Sequence, residues 1–180
     1  MSRARVVLAF GLLWTLAAAC GGGGGSGVVD PPGVATFARI QAEVFDVSCT
    51  SSSCHTAIGR AGDLVLEGAD SYDALIGVPP SNPIAAADGM QRVYPGDPDK
   101  SFLYMKLAHG LTGGMGLAMP WGGPYLEERS LEVIRAWIRA GAPREGRVPG
   151  DDGRSLGTGG DGDGIVLPPP ERGVQVAVTA

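Results

Sequence analysis

The sequence predicts a small, mainly α-helical domain with long loops, placed between an exported N-terminus and a tail of small and polar residues. Three observations support this prediction. Segments 34–47 and 126–140 repeat apolar residues at the helical intervals of three and four. Segment 56–98 has little periodicity, and proline-containing pairs mark its loops. The composition changes again after residue 143, so we expect one folded domain over residues 34–143.

Residues 1–19 have the three parts of a secretory signal peptide. Two arginines precede an apolar run, and small residues end it. The run is too short for a membrane-spanning helix. Cys20 follows at the expected cleavage point, and residues 20–33 form a Gly-rich linker, which is typical of a bacterial lipoprotein. We therefore expect lipid on Cys20; the alternative is ordinary cleavage nearby, which leaves an unpaired thiol.

The charge balance excludes one class of partner. The chain has 14 Lys and Arg residues against 19 Asp and Glu residues, and its formal net charge is −5 at pH 7. No stretch concentrates the basic residues into a stripe. A phosphate backbone is held mainly by clustered Lys and Arg side chains, so we do not expect this protein to bind nucleic acid.

Segment 49–55, Cys-Thr-Ser-Ser-Ser-Cys-His, carries the chemistry. It resembles the haem-attachment signature C-x-x-C-H, in which two thiols form thioethers and the adjacent histidine binds iron. The spacer is longer here, but its residues are small and polar, so we expect it to loop out. Alternatively, Cys49 and Cys54 form a disulfide and His55 has no ligand role. If Cys20 carries lipid, these are the two cysteines that remain, and both interpretations use them together.

Helices are predicted in a definite order along the domain. The first, 34–47, ends where segment 49–55 begins. One or two helical turns follow over residues 71–76. Asp97, with proline after it, is a plausible N-cap for a helix over residues 99–108. The strongest helix, 126–140, has acidic residues in its first turn and basic residues in its last turn.

A haem bound through His55 needs a second ligand on its other face. The candidates downstream are one histidine and four methionines: His109, Met90, Met105, Met115 and Met119. Met119 is preferred because Pro120 follows it, and a residue before proline is held in an extended conformation. Such a residue suits a thioether carried on a stiff loop.

Six motifs occur in a fixed order along residues 34–143. They are Cys49 to His55, Gly62-Asp63-Leu64, Arg92 to Pro98, Ser101-Phe102-Leu103, Met119-Pro120, and Trp137 to Ala142. In this order they resemble the cytochrome c superfamily and, more narrowly, the bacterial cell-envelope haem domains known as planctomycete-type cytochrome c. The longer cysteine spacing departs from the commonest family pattern.

The resemblance implies a cytochrome c-like domain of about three to four helices wrapped round one haem c. Cys49 and Cys54 would hold the haem covalently, and His55 and Met119 would be its axial ligands. The implied activity is one-electron transfer rather than catalysis, with a redox partner protein in the cell envelope. A lipid anchor on Cys20 would hold the protein in the periplasm or at the outer membrane.

Two alternatives remain open from the sequence. One is a haem sensor or peroxidase in which Met119 is a labile ligand. The other is a haem-free, disulfide-stapled lipoprotein that acts as a binding or scaffold module. In each case residues 144–180, rich in Gly, Pro and Asp, are expected to be a disordered tail, and the aspartates in it a solvated linker rather than calcium ligands.

Overall fold

The computed structural model describes residues 34–159, and this part of the chain is mainly helical. It contains five α-helices: α1 (Thr36–Ile40), α2 (Ser71–Leu75), α3 (Pro83–Ala87), α4 (Phe102–Leu107) and α5 (Glu128–Arg139). Short 3-10 turns occur at Ala61–Asp63, Gly68–Asp70 and Pro98–Lys100. Within these residues strand pairing is limited to three isolated bridges. The predictions for residues 1–33 and 160–180 fall outside the described residues.

None of the helices in the described part of the chain has both the length and the apolar character needed to cross a bilayer.

The first predicted helix is present, but its second part is not an α-helix. After α1, the chain continues as a π-helix over Gln41–Cys49. Ile40, Val44 and Phe45 are fully buried, and Cys49 is 9% exposed. These residues are spaced by four and five, and the i to i+5 pattern of a π-helix brings such positions onto one face. Cys49 therefore lies at the end of the π-helix, on the face that is buried in the core.

The number of helices is larger than the three to four expected, because a segment interpreted as a loop forms α3. The Asn82 side chain accepts hydrogen bonds from the backbone N–H groups of Ile84 and Ala85, at 3.1 and 3.0 Å. Pro83 occupies the first helical position. An Asn-Pro pair serves equally well in a turn and at a helix start, so its composition alone did not distinguish the two.

The helix predicted over residues 99–108 is split in two. Asp97 acts as the expected cap, accepting hydrogen bonds from the backbone N–H groups of Asp99 and Lys100 at 3.0 and 3.2 Å, but it begins only a 3-10 turn. Ser101 then has extended backbone angles, and α4 starts after it. The buried Ser101 hydroxyl donates to the Asp97 carbonyl at 2.8 Å, which stabilises this break.

Helix α5 joins the ends of the domain through its predicted apolar stripe. Trp137, Ile134 and Ile138 are fully buried, as the helical spacing predicts. The Trp137 ring stacks on Phe37 of α1 with the ring centroids 5.4 Å apart. Its indole N–H donates to the Pro143 carbonyl at 2.8 Å. Trp137 is therefore a core residue with its polar atom satisfied.

The expectation of a disordered tail from residue 144 is wrong for residues 144–159, which pack against the helices. Val148 and Leu156 are 5% and 4% exposed and belong to the hydrophobic core. The segment also pairs with the start of α5, where the Glu127 N–H donates to the Gly157 carbonyl at 3.2 Å. The folded region therefore extends beyond the predicted boundary at residue 143.

Asp151 anchors this last segment by a buried ion pair. Its carboxylate accepts hydrogen bonds from the Arg39 guanidinium and, at 3.0 Å, from the Thr36 hydroxyl. The Asp151 side chain is fully buried and that of Arg39 is 6% exposed. Arg39 also pairs with Glu43, whose carboxylate accepts the Leu156 N–H at 2.7 Å. The interpretation of Asp151 as part of a solvated linker is thus incorrect.

Candidate functional site

Segment 49–55 folds into a closed turn at the end of the π-helix. The His55 N–H donates to the Cys49 carbonyl at 3.0 Å, and the Cys54 N–H donates to the Ser51 carbonyl at 2.8 Å. Residues 51–53 are exposed. The prediction that the longer spacer loops out is therefore confirmed. The bulge lets His55 return to the end of the helix despite the additional residues.

The residues after His55 fold back over the turn, and Gly59 is required for this close approach. A Cβ atom at Gly59 would lie 2.5 Å from the Cys54 carbonyl oxygen. The same oxygen accepts the Ala61 N–H at 3.1 Å, and the His55 carbonyl accepts the Leu66 N–H at 2.8 Å. Local sequence patterns do not predict this role, because Gly59 contacts residues on the far side of the turn.

The two thiols lie in different environments and are not bonded to each other in the structure. Cys49 is buried, and its Sγ atom lies 3.9 Å from the Val44 carbonyl oxygen. Burial raises the pKa of the Cys49 thiol to about 12. Cys54 is half-buried, and its Sγ atom accepts a hydrogen bond from the Ser51 hydroxyl at 3.0 Å.

His55 presents a half-buried imidazole to this site. Its Nδ1 atom is buried and has no hydrogen-bond partner among the described residues. Burial lowers the pKa of His55, and the charges of Arg92 and Lys106 lower it further; backbone groups of Leu64 and Ala61 oppose the shift without bonding to Nδ1. The imidazole is therefore neutral at pH 7, the form that binds metals. A buried nitrogen without a partner is costly, and a bound group can relieve that cost.

Met119 lies on a loop held against α4. Its side chain packs partly buried on the core, and its N–H donates to the Lys106 carbonyl at 3.0 Å. The Lys106 ammonium donates to the Met115 and Leu117 carbonyls at 2.7 and 2.9 Å. Lys106 therefore holds the loop of Met119 through both its side chain and its backbone.

Two of the other candidate ligands are engaged elsewhere. Met115 is 1% exposed, and its sulfur accepts a hydrogen bond from the Thr112 hydroxyl at 3.4 Å. The His109 ring packs edge-on against Tyr125, with ring centroids 4.2 Å apart. The Met115 sulfur and the His109 ring thus each have a side-chain partner, whereas the described residues give no hydrogen bond to the Met119 sulfur.

Sequence spacing did not predict the structural roles of two basic residues, Arg92 and Lys106. The Arg92 guanidinium donates to the Ala74 and Asp63 carbonyls at 3.0 and 2.8 Å. It thus fixes the end of α2 against the preceding loop. Lys106 has a similar role for the Met119 loop. Neither role has a sequence signal, because the acceptors are backbone carbonyls rather than side chains.

Large apolar side chains close in sequence to the two candidate ligands are exposed. Ile58, three residues after His55, is 93% exposed. Leu117 and Trp121, on either side of Met119, are 63% and 76% exposed. Exposed apolar residues that occur singly are ordinary, and what distinguishes these three is that each is a sequence neighbour of a candidate ligand.

The donor set suits a metal only if another group supplies most of the ligands. No group of three His, Cys, Asp or Glu side chains suited to hold a metal ion occurs in residues 34–159. A porphyrin contributes four nitrogens, so one protein donor on each face is sufficient.

A cavity of about 500 Å³ lies on the outer face of α5 and contains none of the candidate ligands. It is lined by Glu132, Arg135, Ala136, Arg139, Ala140 and Pro149.

Comparisons of the chain with protein-family models, with curated proteins and with solved structures found no match. The likeness to cytochrome c therefore rests on the six motifs in the sequence. Membership of that family stays a prediction, and the function is argued below from the residues themselves.

Proposed function

We propose that this protein is a c-type cytochrome that binds one covalent haem and transfers single electrons at the cell envelope. The closed turn 49–55 is the observation that carries the proposal. Within residues 34–159 it holds two unbonded thiols and, beside them, a neutral imidazole whose buried Nδ1 atom has no hydrogen-bond partner. These are the groups that thioether attachment and iron ligation use.

The residues present fit this cofactor. Cys49 and Cys54 would form the two thioethers, and His55 and Met119 would be the axial ligands. When bound, the haem supplies one-electron redox chemistry. The protein keeps His55 neutral by burial and fixes the loop of Met119 through Lys106. With side chains in both axial positions, electron transfer is the natural activity, and we do not propose an enzyme.

The exposed apolar side chains support the same proposal. Ile58, Leu117 and Trp121 gain free energy when they are covered, at about 25 cal/mol per Å² of apolar area. A flat, largely apolar macrocycle, which His55 and Met119 would hold, is a group that apolar side chains next to these ligands in sequence would suit. The loop-rich chain between α1 and α4 is also easier to explain if a cofactor completes the core.

The location and the partner are proposed from the N-terminal sequence. Lipid on Cys20 would tether the domain through the linker 20–33 to a membrane of the cell envelope, facing the periplasm or held at the outer membrane. A redox protein of the same compartment is the proposed partner. An acidic chain favours a partner with a complementary basic surface.

Absorption spectra of the matured protein test the axial ligand. We expect the weak charge-transfer band of methionine-bound ferric iron in the wild type and its loss in Met119→Ala, with the haem still attached. Met90→Ala, at another half-buried methionine, should retain the band. Persistence of the band in Met119→Ala would show that a different side chain is the ligand. Ligand binding by the ferrous wild type at neutral pH would instead favour a sensor or peroxidase.

A further inference from the structure

Lys106 is placed unusually for a lysine on a short helix. It lies in α4 near its C-terminal end and is half-buried. Its ammonium donates to two carbonyls of the same loop, those of Met115 at 2.7 Å and Leu117 at 2.9 Å. Among the described residues no carboxylate forms a salt bridge with it. The Lys106 ammonium therefore binds backbone carbonyls of the loop.

A third hydrogen bond ties the same loop to the same residue. The Met119 N–H donates to the Lys106 carbonyl at 3.0 Å. Lys106 thus holds positions 115, 117 and 119 from its side chain and its backbone together. The ammonium nitrogen also lies over the Phe102 ring, 5.1 Å from the ring centroid, in a cation–π contact. This contact limits the rotamers of Lys106 and so fixes where the loop sits.

The position of the Lys106 ammonium depends on two opposing energies, the cost of its burial and the gain from its hydrogen bonds. Taking an ammonium partly out of water is unfavourable, and burial lowers the pKa of Lys106. Hydrogen bonds from a charged donor to carbonyls are stronger than neutral ones and offset that cost. A lysine that served only solubility would extend into water instead. Loss of the ammonium would leave two loop carbonyls without their donor.

We propose that Lys106 is a positioning residue that holds the Met119 sulfur in place as the second axial ligand. This inference rests on the proposed haem-binding function and adds to it the element that governs the stability of the methionine ligation. Weaker ligation by the Met119 sulfur should favour the oxidised iron and so lower the reduction potential.

The test replaces Lys106 with methionine, which keeps the length of the side chain and removes the ammonium. Lys106→Arg is the conservative variant, and Lys100→Met is the control, because it makes the same charge change at an exposed residue before α4. Binding of added imidazole by the ferric protein measures how readily Met119 leaves. We expect about a ten- to hundredfold gain in imidazole affinity for Lys106→Met, and little change for the other two variants.

Two further measurements keep the outcomes distinct. The reduction potential should fall in Lys106→Met and stay near the wild-type value in Lys106→Arg. Amide hydrogen exchange of the folded full-length chain should show about tenfold or greater loss of protection at Met119 in Lys106→Met, whether or not haem is attached. If Lys106→Met fails to fold, the same measurements are made on Lys106→Gln, which retains a single donor group.

Unchanged imidazole affinity and unchanged exchange in Lys106→Met would overturn the inference. Equal effects in Lys106→Met and Lys100→Met would also overturn it, because they would assign the effect to charge alone. A wild-type protein that never acquires covalent haem would refute the proposed function instead, and the exchange measurement would then still show whether Lys106 fixes the loop.

Discussion

Replacing Asp151 with asparagine removes the charge from one partner of a buried ion pair while keeping its size. Asp151 binds the Arg39 guanidinium and the Thr36 hydroxyl, and its side chain is fully buried. Asparagine retains one acceptor oxygen, so the variant leaves the Arg39 charge without its full partner rather than creating a cavity. The cost therefore comes from an uncompensated buried charge.

Removing one member of a buried ion pair typically costs about 3–5 kcal/mol. Arg39 retains its pairing with Glu43, which is 30% exposed, so we expect the lower end of that range, about 3 kcal/mol. Denaturant slopes for small domains are about 1–3 kcal/mol per molar urea, so the unfolding midpoint should fall by roughly 1.5 M. Urea unfolding of the matured protein, followed by circular dichroism, measures both the midpoint and the slope.

The neighbouring residue supplies a matched control. Asp152 pairs with Arg129 and Arg154 at the surface, where its side chain is 44% exposed. Asp152→Asn should therefore change stability far less than Asp151→Asn. A loss below about 1 kcal/mol in Asp151→Asn, or equal losses in the two variants, would refute the view that the segment after residue 143 is anchored by this buried pair.

Three further predictions address the turn, the loop-rich middle and the response to acid. Gly59→Ala should destabilise the protein by about 1–3 kcal/mol and lower the yield of covalent haem, because a Cβ atom would clash with the Cys54 carbonyl. The control Gly113→Ala has open space at its Cβ position and should be tolerated. Equal haem yields in the two variants would contradict the role of Gly59. Asn82→Ala should lower the free energy of unfolding by about 1 kcal/mol through loss of the α3 cap, and Asn82→Asp should retain the wild-type stability. Thermal unfolding measures both effects. No loss of stability in Asn82→Ala would mean that the cap is unimportant. The Arg154 N–H and then the Arg129 guanidinium hold the pKa of Asp152 at about 2, below its ordinary value of 3.8. The stabilising contribution of Asp152 is therefore present above pH 3.8 and is lost as the pH falls towards 2. Asp152→Asn should flatten the loss of stability in that pH window, and an unchanged acid unfolding profile would contradict this prediction.

Local sequence patterns predicted the parts of the fold whose contacts are local. The apolar stripe of α5 and the helix leading to Cys49 follow from residue spacing alone, and both are present. The break at Ser101 and the start of α3 at Pro83 were missed, because short helices are decided by individual caps rather than by periodicity. The π-helical turns up to Cys49 had no distinct sequence signal beyond spacings of four and five.

Long-range contacts explain what the sequence did not predict. Asp151 folds the last segment only because Arg39, 112 residues earlier, supplies its charge partner. The same limitation applies to the candidate site. The turn 49–55 and the choice of Met119 follow from adjacent residues, but the supporting contacts of Gly59 and Lys106 are with backbone atoms that come close only in the folded chain.

Intact-mass analysis tests the central claim most directly. The full chain is produced with haem-maturation machinery, extracted with acid, and compared with the double variant Cys49→Ser, Cys54→Ser. The account predicts a haem-sized increment that survives extraction in the wild type and is absent from the double variant. A wild-type mass that is instead lower by two hydrogen atoms, with no haem increment, would contradict it and would indicate a disulfide-stapled scaffold.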